Sequence, residues 1–150
     1  MPQSLSKLYA HLVFSTKNQM DIIQPDIEPE LHPYIAKLCR ECDSPCIAIN
    51  NTQNHIHILL VLSRKYSISQ IAENVKKTSS KWIKTKGPQY KSFYWQSGYG
   101  VFSISQSHVD SVKEYIAKQK EHHQKTSFRE EYLKLLKRFN IEYDERYMWD

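Results

Sequence analysis

Two histidines, His55 and His57, stand one residue apart in the run Asn54-His55-Ile56-His57-Ile58-Leu59-Leu60-Val61-Leu62. The run is short, apolar and rich in branched residues, so it predicts a β-strand. Side chains two apart on a strand share a face, with their backbones roughly 7 Å apart. Two imidazoles presented in this way can bind one metal ion together. Ile56, Ile58, Leu60 and Leu62 then point the other way, into a core. A second pattern lies further on. The stretch from Ser107 to about His122 predicts a helix that Ser107 opens, with Val109, Val112 and Ile116 on its buried stripe. Beside them run Ser111, Tyr115, Gln119 and His122, and Tyr115 and Gln119, four apart, share a face. A phenol can act as the nucleophile of phosphoryl transfer, and an amide oxygen can ligate a hard divalent ion. Lys118 and Lys120 flank this stripe and could hold phosphates.

Composition narrows the setting. The 150 residues, 40% of them hydrophobic, fit one domain over 1–150 with a sizeable core. Three glycines are too few for a glycine-rich phosphate loop, and no such motif occurs. No apolar run approaches membrane-spanning length and the N-terminus lacks a signal-peptide pattern, which predicts a cytoplasmic protein without a membrane partner. Cys39, Cys42 and Cys46 form CxxCxxxC, with His32 as a paper fourth ligand. They read better as reduced thiols at packing positions than as a zinc site.

The formal net charge is +5, which favours a polyanionic partner. Lys76, Lys77, Lys81, Lys84, Lys86 and Lys91 crowd one stretch that has no acid after Glu73. Trp82, Tyr90, Phe93, Tyr94 and Trp95 are interleaved with them or follow at once. Lysines for backbone phosphates and rings for stacked bases suit a single-stranded nucleic acid. Lys76, Lys77, Lys81, Lys84, Trp95 and Lys118 are therefore the candidate DNA contacts.

The elements that must position these groups follow from periodicity and caps. Leu5 to Ser15 predicts a first strand. A helix carries Leu31, Ile35, Leu38 and Cys42, with Pro33 in its first turn or at a kink, and Asp43-Ser44-Pro45 ends it. Cys46 to Asn50 is a second strand that turns at Asn50-Asn51 into the histidine strand as a hairpin. Ser67 and Gln70 open a helix as a capping box, Ile68, Ile71 and Val75 mark its buried stripe, and Gly87-Pro88 stops it. A strand over Val101 to Ser105 precedes the tyrosine helix. Ser127 and Glu130 cap a terminal helix with Tyr132, Leu135, Leu136 and Phe139 on one stripe, and an aromatic, acidic tail runs from Ile141 to Asp150. This order predicts an α+β fold with a largely antiparallel sheet.

Here the chain resembles the small single-tyrosine transposases of bacterial insertion sequences, a branch of the HUH nuclease superfamily. His55-Ile56-His57 matches the His-hydrophobic-His motif, and Tyr115-Ile116-Ala117-Lys118-Gln119 matches the Tyr-x-x-x-Gln pattern of the catalytic helix. Trp95-Gln96-Ser97-Gly98-Tyr99, Glu121-His122-His123 and Tyr143-Asp144-Glu145-Arg146-Tyr147 are similar too, so the likeness covers nearly the whole chain. The resemblance implies an RRM-like or ferredoxin-like antiparallel sheet with flanking helices. It implies a homodimer whose active site is completed in trans by the partner's tyrosine helix. It implies cleavage and rejoining of single-stranded DNA, at hairpin-forming element ends, in a bacterial cytoplasm and at the nucleoid. On that pattern Tyr115 is the nucleophile, and His55, His57 and Gln119 hold Mg²⁺ or Mn²⁺.

Two other readings stay open on sequence. A metal-dependent hydrolase could draw further ligands from His11, His108, His122 or Asp110. A non-catalytic single-strand binding module would need neither metal nor tyrosine, but no RNP-type aromatic motif is present.

Overall fold

The computed structural model describes residues 2–150. Four strands, β1 (Tyr9–Ser15), β2 (Cys46–Asn51), β3 (His55–Val61) and β4 (Gly100–Ile104), form one sheet in the order β2-β3-β1-β4. Every pairing is antiparallel. With α1 (Glu28–Glu41) between β1 and β2, and α2 (Ile68–Lys84) between β3 and β4, the chain traces the β-α-β-β-α-β order of a ferredoxin-like fold. It is an α+β architecture, as its sequence predicts.

Strand alternation divides the buried residues between two layers. On one face, Ala10, Leu12, Phe14, Ile56, Ile58 and Leu60 pack against Leu31, Ile35 and Leu38 of α1 and Ile71, Val75 and Ile83 of α2. The capping box at Ser67 and Gln70 forms with both of its hydrogen bonds. Pro33 lies inside α1, beyond its first turn, and the helix continues through it.

The other face carries the histidines and is covered by the rest of the chain. Here α3 (Val109–Ala117) and α4 (Gln119–His122) lie over β2 and β3, and α5 (Phe128–Arg138) lies over β1 and β4. The stretch from Ser107 to His122, read as one helix, is two. A 3₁₀ turn over Gln106–His108 precedes α3, and the chain leaves helical geometry at Lys118 (φ −96°, ψ 15°). The reason is a side chain from the sheet. Asn50 Nδ2 donates to the carbonyls of Ile116 (2.9 Å) and Ala117 (3.2 Å), where the helix would have continued. The first strand begins at Tyr9, four residues later than Leu5, whose side chain is exposed. Met148 and Trp149 bring the tail back against Phe128 and Tyr132.

Candidate active site

β1 and β3 pair so that Val13 faces His57 and Ser15 faces His55, all on the covered side of the sheet. Both imidazoles are fully buried, and so is Gln119. Their meeting point is a carboxylate from α5. Glu131 Oε1 lies 3.0 Å from His57 Nε2, 3.4 Å from His55 Nε2 and 3.0 Å from His123 Nε2. Glu131 Oε2 faces the other way. It accepts a hydrogen bond from the Tyr115 hydroxyl and one of 3.0 Å from Gln119 Nε2, and His122 Nε2 stands 3.8 Å off at the rim. The Gln119 carbonyl oxygen lies 3.3 Å from His55 Nε2. One ligand atom from each of His55, His57, His123 and Glu131 falls within 4.8 Å of all the others.

Local sequence explains how each element delivers its side chain. Ser127 Oγ accepts from the Glu130 amide and starts α5. Phe128, Glu131, Tyr132, Leu135 and Leu136 then follow helical spacing, so the apolar stripe that docks α5 carries Glu131 inward with it. Tyr132 fits because β4 has Gly100 there: a Cβ on that residue would sit 2.8 Å from the Tyr132 ring. The tyrosine helix is docked by Val109 and Ile116 against Leu59, and by the Asn50 cap. Lys120 tightens this anchor, donating to Asn50 Oδ1 (3.0 Å) and the Asn51 carbonyl (3.2 Å) and pairing with Glu28 (3.0 Å).

Hydrogen bonds on the far side of each ring set what the site can hold. His123 Nδ1 donates to the Thr126 carbonyl at 2.6 Å, and His55 Nδ1 meets Asn54 Oδ1 at 2.7 Å. With an ion bound, these bonds would keep the ring proton on Nδ1 and turn the Nε2 lone pair inward. His57 Nδ1 meets His11 Nε2 at 2.8 Å. Burial lowers His55 to about 4 and, with the charge of His57 added, His11 to about 3, so these rings are neutral at pH 7. Burial alone would raise the Glu131 carboxyl, but hydrogen bonds to His123, His55 and His57 outweigh it and hold Glu131 ionised. Three Nε2 atoms and one carboxylate oxygen crowd a single point, and a cation placed between them would let each of the four present a lone pair to it. Three nitrogens and one oxygen are a donor set for a first-row divalent ion, softer than Mg²⁺ prefers and well suited to Mn²⁺ or Zn²⁺. Burial, and then the facing Glu131 carboxylate, push the Tyr115 phenol upward, so it keeps its proton.

Of the residues singled out on sequence, the structure brings His55, His57, Tyr115 and Gln119 together. Tyr115 reaches the histidines of its own chain, so the geometry does not need the partner's helix that the resemblance implies. Trp95 is a correction. Its indole donates to Ser79 Oγ (2.9 Å) and packs edge-on against Phe14 and Phe93, so it is core and offers no face to a base. The exposed ring is its neighbour Tyr94, with Lys84 Nζ 3.8 Å from the ring centre. Lys76 is half-buried, donates to the carbonyls of Ser97 and Gly98, and is lowered by burial to about 8, which makes it a clamp on that loop. Lys77 and Lys81 are exposed, and Lys118 is exposed but paired with Glu114 at 2.8 Å. His11 orients His57, while His108 and Asp110 are exposed and outside the cluster. The three cysteines are free thiols, and His32 bonds Asn51 instead of joining them.

His123 and Glu131 are the residues that sequence reasoning passed over as ligands. The legible signal for Glu131 is a carboxylate standing on the apolar stripe of an amphipathic helix.

With this geometry in place, one family model shows the kinship of the chain and two solved structures share its fold. The model of the family described as Transposase IS200 like matches residues 4–119. The crystal structure of a candidate transposase from Deinococcus radiodurans R1 aligns over 79% of this chain and 98% of its own, at 19% identity and a TM-score of 0.61. A REP-associated tyrosine transposase bound to a REP hairpin aligns over 82% of this chain and 73% of its own, at 16% identity and a TM-score of 0.61. At these identities the structural likeness is one of fold. A search of curated proteins finds no match.

Proposed function

We propose, from the fact that this chain belongs to the family of IS200-like transposases, that it cuts and rejoins single-stranded DNA through a covalent 5′-phosphotyrosine formed on Tyr115. One observation carries this reading: the phenol of Tyr115, the amide of Gln119 and the imidazoles of His55 and His57 meet around a single buried point. His55, His57 and Gln119, through its carbonyl oxygen, would hold Mg²⁺ or Mn²⁺. Such an ion, when bound, polarises the scissile phosphate and stabilises the departing 3′ oxygen. Tyr115 attacks phosphorus in line, leaving a free 3′-OH on one side and the phosphotyrosine on the other. The covalent link keeps the phosphodiester energy, so a second 3′-OH can reverse the step without ATP.

The substrate is DNA whose ends fold as hairpins, a reading supported by the REP hairpin bound to the REP-associated tyrosine transposase that shares this fold. The basic surface of Lys77, Lys81 and Lys84, with Tyr94 as its ring, holds the strand. The segment that carries Tyr94 adjoins the turn before the histidine strand: the Thr16 amide bonds the Asn54 carbonyl, and the next amide, Lys17, bonds the Tyr94 carbonyl. Each protomer carries a whole site, and a homodimer acting in the cytoplasm brings two sites to the two element ends. Mixing Tyr115→Phe with His57→Ala chains tests that arrangement. Sites built in trans would regain adduct formation in the mixture, whereas sites built within one chain would not.

A metal-dependent hydrolase is the second reading, favoured by the three-histidine, one-carboxylate set, which also suits catalytic zinc. The two are separated by incubating protein, Mn²⁺ and flanking single-stranded DNA. A protein–DNA adduct on a denaturing gel supports the transposase, and cleavage with no adduct supports the hydrolase.

A further inference from the structure

We infer that Glu131 couples the metal to the nucleophile: Oε1 joins His55, His57 and His123 as a ligand, while Oε2 holds the Tyr115 phenol and receives its proton. The inference rests on the phosphotyrosine reading and adds to it a base and two ligands beyond the paired histidines and the Tyr115-x-x-x-Gln119 pattern. The match to the family model ends at residue 119, and His123 and Glu131 lie beyond the matched residues.

The two oxygens of Glu131 have separate partners. Oε1 faces only imidazole nitrogens, at 3.0–3.4 Å. Oε2 faces the Tyr115 hydroxyl and the Gln119 amide. A carboxylate divided in this way fixes the phenol beside the ion without letting the phenol become a ligand. Gln119 Nε2 pins Oε2 from the other side, so Glu131 cannot swing to present both oxygens to the imidazoles. His123 is oriented by the Thr126 carbonyl, as a ligating histidine is by its outer hydrogen bond.

Among the described residues the Tyr115 hydroxyl donates to one acceptor, Glu131 Oε2. As the bond from the phenolic oxygen to phosphorus forms and the P–O3′ bond breaks, that proton passes to Oε2. Oε2 then gives that proton up to solvent, and the departing 3′ oxygen takes one from solvent. The products are a phosphotyrosine, a free 3′-OH and a restored carboxylate. In the reverse step a 3′-OH loses its proton to solvent as it attacks, and the departing phenolate takes one through Oε2.

The test reads metal binding and chemistry separately. In Mn²⁺ titrations without DNA, Glu131→Gln and His123→Ala are each expected to weaken binding about tenfold or more, while Tyr115→Phe stays within about twofold. At saturating Mn²⁺, Glu131→Gln is expected to slow adduct formation about 10²-fold, the usual contribution of a positioned base. Glu131→Asp keeps the charge but is one methylene too short to span both partners. It should bind Mn²⁺ nearly as wild type yet form adduct about tenfold more slowly, and it carries the test if the glutamine variant does not fold. Pulsed EPR of Mn²⁺-loaded wild type should count three imidazole nitrogens. Two nitrogens would remove His123. Unchanged Mn²⁺ affinity and adduct rate in Glu131→Gln, beside an active wild type, would overturn the inference. An inactive wild type would instead overturn the phosphotyrosine reading, leaving the titrations to decide the ligands.

Discussion

Loading the site with Mn²⁺ should raise the melting temperature of the protein by about 9 °C. The donors come from β3, from the connection after α4 and from α5, and they converge only when α5 is docked on the sheet. The unfolded chain therefore has no such site, and binding free energy becomes folding free energy. At a free ion concentration of a hundred times Kd the stabilisation is about 2.7 kcal/mol. Unfolding entropy of about 2.1 cal/mol/K per residue gives roughly 0.3 kcal/mol/K for a chain of this length, and the ratio is about 9 °C. Differential scanning calorimetry with and without Mn²⁺ measures it, with His57→Ala as the control. A shift below about 2 °C at saturation, or an equal shift in His57→Ala, would refute the placing of the ion between these residues.

Three further outcomes follow from the same geometry. Gly100→Ala drives a methyl into the Tyr132 ring and should cost about 1–3 kcal/mol in denaturant unfolding, with a smaller loss when Tyr132→Ala is combined with it. Burial, with the neighbouring Cys46 and Cys42 adding to it, raises Cys39 to about 12, so in the folded protein at pH 8 it should alkylate about 10³-fold more slowly than an exposed thiol. Its folded value is raised, so this group's contribution to stability is whole below pH 9.0 and is lost as pH climbs towards 12, a decline that alkaline melts would detect. Replacing Lys77, Lys81 and Lys84 together with alanine should reduce the slope of log affinity against log salt by about 2 on single-stranded DNA, measured by fluorescence anisotropy.

The parts legible in the sequence are those set by short-range rules. The histidine strand shows itself through its period of two, and α2 through a capping box and an apolar stripe, both of which the structure contains. Tyr115 and Gln119 fall on one face although the helix breaks between them, because both still reach Glu131 Oε2. What stayed hidden depends on distant partners. The break at Lys118 is made by Asn50, 66 residues before Ile116, through a hydrogen bond that no local pattern announces. Glu131 becomes a site residue only when α5 docks over the sheet and meets His57, 74 residues earlier. Trp95 misleads for a related reason. In a run of aromatics beside lysines, alternation decides which ring is core and which is surface, and the β-bridge of Trp95 with Thr16 turns it inward and Tyr94 outward.

The most direct test is the identity of the residue that becomes joined to DNA. After reaction with flanking single-stranded DNA and Mn²⁺, nuclease and trypsin digestion should leave the peptide Glu114–Lys118 carrying a nucleotide on Tyr115. Tyr115→Phe should still bind the DNA and leave no modified peptide. A nucleotide found on another residue, or an adduct that survives in Tyr115→Phe, would contradict the account.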